Sequence, residues 1–134
     1  MRVVLDTSAI IQLLERKHPA VVAELRAATE APSISAVTLG ELAVGWSSLP
    51  VDSLRRRTYH AARRLRIVNI AGDGLQPEPA GLIASFGVCR SAGITGNDAW
   101  IAATAHSSVS TLLTYDTVLA TRYETVGITK LLTM

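Results

Sequence analysis

The sequence predicts an α/β fold: a three-layer α/β/α sandwich with a central, mostly parallel sheet, built as one domain over residues 1–134. Short apolar runs alternate along the chain with longer segments in which apolar residues recur at helical spacing. Strands that alternate with helices form a parallel sheet covered on both faces. The composition agrees, because 49% of the residues are hydrophobic and only 4% are aromatic, which implies a core of Ala, Leu, Val and Ile.

The amino-terminal half is expected to contain three strands and four helices. Residues 2–5 form a short buried strand. A helix follows with Thr7 or Ser8 available as its cap, and His18-Pro19 ends it because the residue before proline avoids the α conformation. The remaining elements are a helix over 19–29, a strand over 32–35, a helix over about 37–47, an amphipathic helix over 51–65 and a strand over 67–70.

The carboxyl-terminal half is expected to contain three helices and two strands after a Gly- and Pro-rich loop at 72–79. The first helix ends at Gly93, a residue type that commonly follows a helix. Thr95 or Asn97 is available to cap the second helix. The predicted order is helix 79–92, helix 98–106, strand 111–114, helix 117–123 and strand 128–132.

Several functional classes are excluded by the composition. The single cysteine, Cys89, rules out an internal disulfide and a multi-cysteine zinc site, and its apolar surroundings favour a buried structural thiol over a nucleophile. No secretory signal opens the chain, and no stretch approaches the ~20 apolar residues of a membrane span. A cytoplasmic protein is therefore expected.

Four of the eleven acidic residues lie at or beside the ends of apolar segments. Asp6 and Asp116 each follow a predicted strand, so they are expected at the carboxyl edge of the sheet, where ligands of parallel α/β proteins bind. Glu41 and Asp98 lie on predicted helices that could point to that edge. Close carboxylates repel by roughly 4 kcal/mol per pair at an effective dielectric near 20. Because oxygen ligands suit Mg²⁺ or Mn²⁺, the pattern predicts a metal site.

Each acid also has a structural explanation. Asp6 and Asp116 stand where Asp commonly caps a helix, and Asp98 lies in a first turn, where negative charge is favoured. Glu41 is harder to explain in this way, because it faces the protein and no Lys or Arg occurs in residues 27–54 to pair with it. A shared site explains all four acids better than four separate caps.

Four segments resemble the PIN domain family, in particular the VapC-like toxins of bacterial toxin–antitoxin pairs. They follow the order of the family and are VVLDTSAI at 3–10, SAVTLGEL at 35–42, NDAWIAATA at 97–105 and LTYD at 113–116. The resemblance implies a PIN-like fold and a Mg²⁺-dependent endoribonuclease, with Mn²⁺ as a second possible ion.

The same resemblance implies that the four acids form one acidic pocket. Asp6 and Asp98 would be the principal metal ligands, while Glu41 and Asp116 would complete the site directly or through water. One ion would activate a water for attack on an RNA phosphodiester, and a second ion, if present, would stabilise the leaving oxygen. The polar neighbours that could orient the acids or the water, or simply cap helices, are Thr7, Ser8, Asn97 and Thr114.

The family resemblance further implies an RNA substrate, a homodimer and a cognate antitoxin. The antitoxin would lie over the amino-terminal helices, with an Arg or Lys able to insert among the acids. Its candidate surface is an apolar stripe, for most of which core packing is the alternative: Ile10, Leu13, Leu14, Val21, Val22 and Leu25.

Basic residues are concentrated on one predicted helix, although the net charge of +2 does not by itself indicate nucleic-acid binding. The cluster is either a surface for the RNA backbone or a solvated helix face, and both interpretations stay open. In it, the pairs Arg56 with Arg63 and Arg57 with Arg64 are expected to share an exposed face. Its members are Arg55, Arg56, Arg57, His60, Arg63, Arg64 and Arg66.

Three other functions compete with the toxin hypothesis. The chain could be an RNA-processing nuclease outside a toxin–antitoxin system, or a PIN-like module that binds RNA or protein without cleaving. Acids at all four positions argue against the binding module. A phosphoryl-transfer receiver domain is the weakest alternative, because it needs paired acids after its first strand and this chain offers Asp6-Thr7.

Overall fold

The computed structural model of the protein describes residues 2–46, 48–68 and 79–134. In these ranges the chain forms five strands and seven helices. In chain order they are β1 (Val3–Leu5), α1 (Thr7–Arg16), α2 (Pro19–Ala27), β2 (Ser33–Ser35), α3 (Ala36–Trp46), α4 (Leu54–Ala62), β3 (Arg66–Val68), α5 (Pro79–Ser91), α6 (Gly96–Ser107), β4 (Thr111–Thr114), α7 (Thr117–Tyr123) and β5 (Thr129–Leu131). The end of the predicted strand at 69–70 and nearly all of the predicted loop at 72–79 lie outside the described residues.

The strands form one parallel sheet in the order β3-β2-β1-β4-β5. β1 occupies the centre, with Leu5 paired to Ile34 on one side and to Leu113 on the other. Every residue of β1, β2 and β4 is buried. All of these strands are short apolar or small-residue runs, as expected where both faces of a sheet are covered.

Two hydrophobic clusters show that helices cover both faces. Successive residues of a strand point to opposite faces, and β1 follows this rule: Val3 and Leu5 belong to one cluster and Val4 to the other. The cluster around Leu5 includes residues of α1, α2, α3 and α4. The cluster around Val4 includes residues of α5, α6 and α7. The prediction of a three-layer α/β/α sandwich is confirmed.

The starts of α1 and α6 decide between the caps expected from the sequence, and Asp6 is the expected cap that the structure confirms. α1 begins at Thr7 with Asp6 as its cap, and the Asp6 side chain accepts a hydrogen bond from the Ala9 amide. The cap is therefore neither Thr7 nor Ser8, because the helix starts immediately where β1 ends. Thr95 precedes α6 in the cap position but makes no side-chain cap bond.

The helix predicted over 51–65 is wrong at both ends. Ser53 caps α4 by accepting from the Arg56 amide, and the helix ends at Ala62. The chain must turn there, because β3 starts at Arg66 and places Ile67 beside Ile34 in the sheet. Arg66 thus lies on a strand and not on the helix.

The apolar stripe predicted as the antitoxin surface packs mainly inward. Ile10 and Val21 are fully buried, and three further members, Leu13, Leu14 and Leu25, pack against the same core. Core packing is therefore the correct interpretation for these five. Cys89 is also buried, as predicted, and no described helix is long and apolar enough to cross a membrane.

Candidate metal centre

Asp6 lies at the end of the central strand, and hydrogen bonds hold both of its carboxylate oxygens. Its Oδ1 accepts from the Ser8 hydroxyl at 2.7 Å and from the Ala9 amide at 2.9 Å. Its Oδ2 accepts from the Thr114 hydroxyl at the end of β4. The residue is only 4% exposed. Asp6 is therefore both the cap of α1 and a carboxyl group held in a fixed position at the sheet edge.

The two hydroxyls that hold Asp6 also fix the segment after β4. The amide of Asp116 donates to Thr114 Oγ1 at 2.9 Å, and the amide of Tyr115 donates to Ser8 Oγ at 3.0 Å. Ser8 and Thr114 thus connect Asp6 to the backbone that carries Asp116. The carboxyl ends of β1 and β4 become one rigid edge.

Glu41 lies on α3 and is joined to α1 by a side-chain hydrogen bond. The Thr7 hydroxyl donates to Glu41 Oε1 at 2.7 Å. This bond orients one carboxylate oxygen, and no described residue donates to the other. Asn97, the fourth polar residue predicted to assist the acids, makes no hydrogen bond to any of them within the described parts of the chain.

Asp98 and Asp116 lie on the surface of the same edge. Asp116 caps α7, where its Oδ1 accepts from the amides of Val118 and Leu119 at 2.9 and 3.1 Å. Its structural interpretation as a cap is therefore correct. Asp98 lies in the first turn of α6 and accepts no hydrogen bond from the described residues. Of the four acids, Asp98 contributes least to the hydrogen bonds of the fold.

The pKa values show that the four acids share one electrostatic environment. Desolvation raises the pKa of Asp98 most, and repulsion from Glu41, Asp116 and Asp6 raises it further. Burial raises the pKa of Asp6 as well, with a smaller contribution from Asp116, although its hydrogen bonds from Thr114, Ser8 and Ala9 act in the opposite direction. The acids thus lie close enough together to repel one another.

No basic side chain neutralises this charge within the described residues. The ion pairs there join Arg2 to Glu30, Arg55 to Glu15 and Lys130 to Glu24, and none of them includes an acid of the cluster. Acids that repel each other beside a buried core are stabilised either by protonation or by a bound cation. Oxygen-only donors fit a hard divalent cation such as Mg²⁺ or Mn²⁺.

The four carboxylates are not arranged as a complete set of metal ligands. Across residues 2–46, 48–68 and 79–134, no three His, Cys, Asp or Glu side chains are arranged to hold a metal ion as they stand. Both carboxylate oxygens of Asp6 accept hydrogen bonds. A metal held by all four acids would require their side chains to rearrange. The role of the four acids as metal ligands remains a prediction.

Sequence reasoning missed a contact between His18 and Tyr115, the residue before Asp116. The hydroxyl of Tyr115 lies 2.9 Å from His18 Nδ1, and burial raises the pKa of Tyr115, an increase that the backbone of Val21 opposes in part. Tyr115 therefore helps His18 to cap α2. His18 precedes a proline at a helix start, which suggests a cap, but nothing in the sequence pairs it with a tyrosine so far along the chain.

The family model of the PIN domain matches residues 3–124. The chain belongs to the PIN domain family. No curated protein matches its sequence. The resemblance inferred from the four acidic segments is thus confirmed at the level of the family.

Solved structures of PIN-fold proteins agree with this assignment. VapBC2 from Rickettsia felis, bound to a DNA fragment from its promoter, matches with a TM-score of 0.74 and 20% identity over 99% of this chain and 100% of that one. VapBC-1 from nontypeable Haemophilus influenzae matches with 0.71 and 21% over 98% of each chain. FitAcB from Neisseria gonorrhoeae matches with 0.66 and 24% over 96% of each. At these identities the similarity shows the fold.

Proposed function

We propose that this PIN domain protein is a Mg²⁺-dependent endoribonuclease and the toxin of a toxin–antitoxin pair. The observation that carries the proposal is the group of four acids at the carboxyl edge of the sheet, in which Asp98 is repelled by the other three and no acid forms an ion pair with a described basic residue. Asp6 and Asp116 have a structural role as helix caps, whereas Asp98 has only the favourable position of a negative charge in a first turn. A bound cation gives all four carboxylates a common purpose.

The hydrogen bonds of the site would position its ligands. Asp6 and Asp98 are the proposed principal ligands of Mg²⁺ or Mn²⁺, and Glu41 and Asp116 complete the site directly or through water. Bound metal supplies an activated water for attack on the RNA phosphorus. Hydrogen bonds from Thr114, Ser8 and Ala9 favour the charged form of Asp6 and oppose part of the increase in its pKa that burial causes.

The Thr7 hydroxyl orients one oxygen of Glu41, and the first amides of α7 hold one oxygen of Asp116. The second oxygens of Glu41 and Asp116 receive no hydrogen bond from the described residues and stay available for metal or water. Asp98 is not held by any such bond and can move toward a cation.

The test of the activity is RNA cleavage by the wild type and by Asp98→Asn, with Mg²⁺ and with a chelator. Asparagine keeps the shape of the side chain and removes the charge. We expect the wild type to cleave only with metal and Asp98→Asn to lose cleavage by at least 100-fold, or about 2.7 kcal/mol of transition-state stabilisation. Cleavage by Asp98→Asn at the wild-type rate would contradict the proposal.

A cognate antitoxin is the proposed regulator. The solved structures that match this fold include VapBC toxin–antitoxin complexes, which supports a partner of the same kind here. Because the apolar stripe of α1 and α2 is mostly packed inward, the antitoxin would contact the parts of these helices that stay exposed. An RNA target places the protein in the cytoplasm.

We also propose a homodimer formed through α5. Its outer side exposes Ile83 at 61% and Val88 at 39%. A groove of about 610 Å³ runs beside them, lined by Ala84, Gly87, Val88, Ser91, Ala92, Thr125 and Val126. Exposed apolar surface of this kind commonly marks an interface.

Light scattering tests the dimer against the monomer mass of 14.3 kDa. We expect twice that mass for the wild type, and a monomer for Val88→Asp. The matched control is Val51→Asp, at a valine that is 75% exposed away from this groove. A wild type that stays monomeric at micromolar concentration would contradict the proposal.

A further inference from the structure

The arginines on and after α4 divide into two groups, and the first group has protein partners. Arg55 Nε lies 3.5 Å from Glu15 Oε1 on α1, and its guanidinium lies 5.0 Å from the centre of the Trp46 ring. Arg56 donates from a terminal nitrogen to the Leu49 carbonyl at 2.8 Å and is partly buried. These two side chains attach α4 to its surroundings. The prediction that Arg56 shares an exposed face with Arg63 is therefore wrong.

The second group consists of Arg57, Arg63 and Arg64, which are all exposed. None of them forms an ion pair or donates a side-chain hydrogen bond within the described parts of the chain. Arg63 lies over the ring of Tyr59 at 5.8 Å, a contact that restricts its side chain without neutralising its charge. The exposed His60 lies between them in sequence.

This group differs from an ordinary solvated helix face. Such a face usually mixes charges of both signs, because opposite charges support each other along a helix. Here residues 53–68 contain no Asp or Glu. Three unpaired guanidinium groups on one short segment form a surface that fits phosphate, since Arg binds phosphate oxygens with two parallel hydrogen bonds.

The position of the group relative to the acids decides what it can do. α4 packs against α1, which Asp6 caps, and against α3, which carries Glu41. Its carboxyl end leads into β3, which is parallel to β2. That end therefore faces the sheet edge opposite to the acids. With nine residues, α4 is about 14 Å long, so Arg63 and Arg64, which follow its carboxyl end, lie nearer to the opposite edge than to the acidic one.

We infer that Arg57, Arg63 and Arg64 bind the sugar–phosphate backbone of the RNA substrate at nucleotides away from the cleaved bond. This inference rests on the proposed function, since it names a second contact with the same substrate. Backbone contacts supply much of the affinity for nucleic acid and carry no sequence information. The group therefore strengthens binding of long RNA and takes no part in the chemistry.

The experiment measures affinity for single-stranded RNA over a salt series in protein inactivated by Asp98→Asn. Arg57, Arg63 and Arg64 are replaced together by Gln, which has a similar helix propensity. We expect weaker binding at low salt and a slope of log affinity against log salt that is smaller by about 0.7 per lost contact. The effect should disappear with RNA too short to span the ~14 Å of α4.

The matched control replaces Arg55 and Arg56 by Gln. These two arginines have protein partners, so their loss should lower the unfolding temperature and leave the salt slope unchanged. The inference would be overturned if the salt slope is equal in the triple variant and in its parent. It would also be overturned if the two sets of variants lose equal affinity for RNA. Because binding is measured without cleavage, these outcomes are independent of the nuclease test. If the wild type does not cleave RNA but the triple substitution still reduces the salt slope, the nuclease proposal is refuted and the RNA-binding surface is supported.

Discussion

Asp6 and Asp98 belong to the same acidic cluster, yet the fold treats them in opposite ways. Asp6 is buried, caps α1 and accepts three hydrogen bonds from Ser8, Ala9 and Thr114. Asp98 is exposed on α6 and accepts none from the described residues. Both pKa values are raised by desolvation, but only that of Asp6 is lowered in part by hydrogen bonds. Asp6 therefore contributes hydrogen bonds to the fold, whereas Asp98 contributes none within the described residues; both are proposed metal ligands.

The largest effect expected from this difference concerns stability. Asp6→Ala removes a helix cap worth about 1 kcal/mol and leaves the Ser8 and Thr114 hydroxyls without their acceptor, at about 1 kcal/mol each. We expect the free energy of unfolding to fall by about 2–3 kcal/mol on these terms. Asp98→Ala is the matched control and should cost less than about 1 kcal/mol, the value of a first-turn charge.

Urea denaturation without metal measures both variants. Similar losses for the two substitutions would show that the hydrogen bonds of Asp6 contribute little. The difference in hydrogen bonding between Asp6 and Asp98 would then have no effect on stability.

The second expected effect is a dependence of stability on pH. A carboxyl whose pKa is raised on folding binds more protons in the folded than in the unfolded state between its two pKa values. The free energy of unfolding therefore rises as the pH falls from the raised pKa of Asp98 toward its ordinary value of 3.8. Asp98→Asn should lack this contribution, so the wild type should gain stability relative to the variant on acidification.

Saturating Mg²⁺ should abolish or reverse the same difference, because a bound cation favours the charged carboxylate and so opposes both the desolvation and the repulsion that raise the pKa of Asp98. Stability curves that run parallel for wild type and Asp98→Asn without metal would contradict the electrostatic coupling of the four acids.

The smallest expected effect comes from Thr7, which orients Glu41. Thr7→Val keeps the branched shape and removes the hydroxyl, a hydrogen bond worth about 1 kcal/mol, which corresponds to about fivefold in cleavage rate. The matched control is Thr121→Val on α7, whose hydroxyl donates to the Thr117 carbonyl at 2.8 Å away from the acids. If the two variants cleave RNA at the same rate, Thr7 has no positioning role.

Much of the fold could be predicted because local signals and burial agree. The apolar run of β1 ends at a charged residue, and alternate residues of β1 enter the two hydrophobic clusters. The end of α4 could not be predicted, because it depends on the pairing of β3 with β2. The inward packing of Leu13 and Leu25 could not be predicted from the sequence either, because an apolar stripe has the same pattern whether the core or a partner covers it.

The site shows the same division. The acids could be found because each interrupts or follows an apolar segment. The hydrogen bonds that hold Asp6 could not, because Thr114 lies 108 residues away in sequence and only the pairing of β1 with β4 brings it close. The partners that distinguish Arg55 and Arg56 from Arg57 also depend on tertiary packing, which helical spacing does not reveal.

Metal binding itself is the most direct test of the central claim, that the four acids exist to hold a cation. The measurement is the unfolding temperature of wild type and Asp98→Asn as Mg²⁺, and separately Mn²⁺, is added. Binding to the folded state should stabilise the wild type by about 2.7 kcal/mol at a hundred times the dissociation constant. Asp98→Asn should require far more metal for the same shift. Equal shifts in both proteins, or no shift in the wild type, would contradict the account.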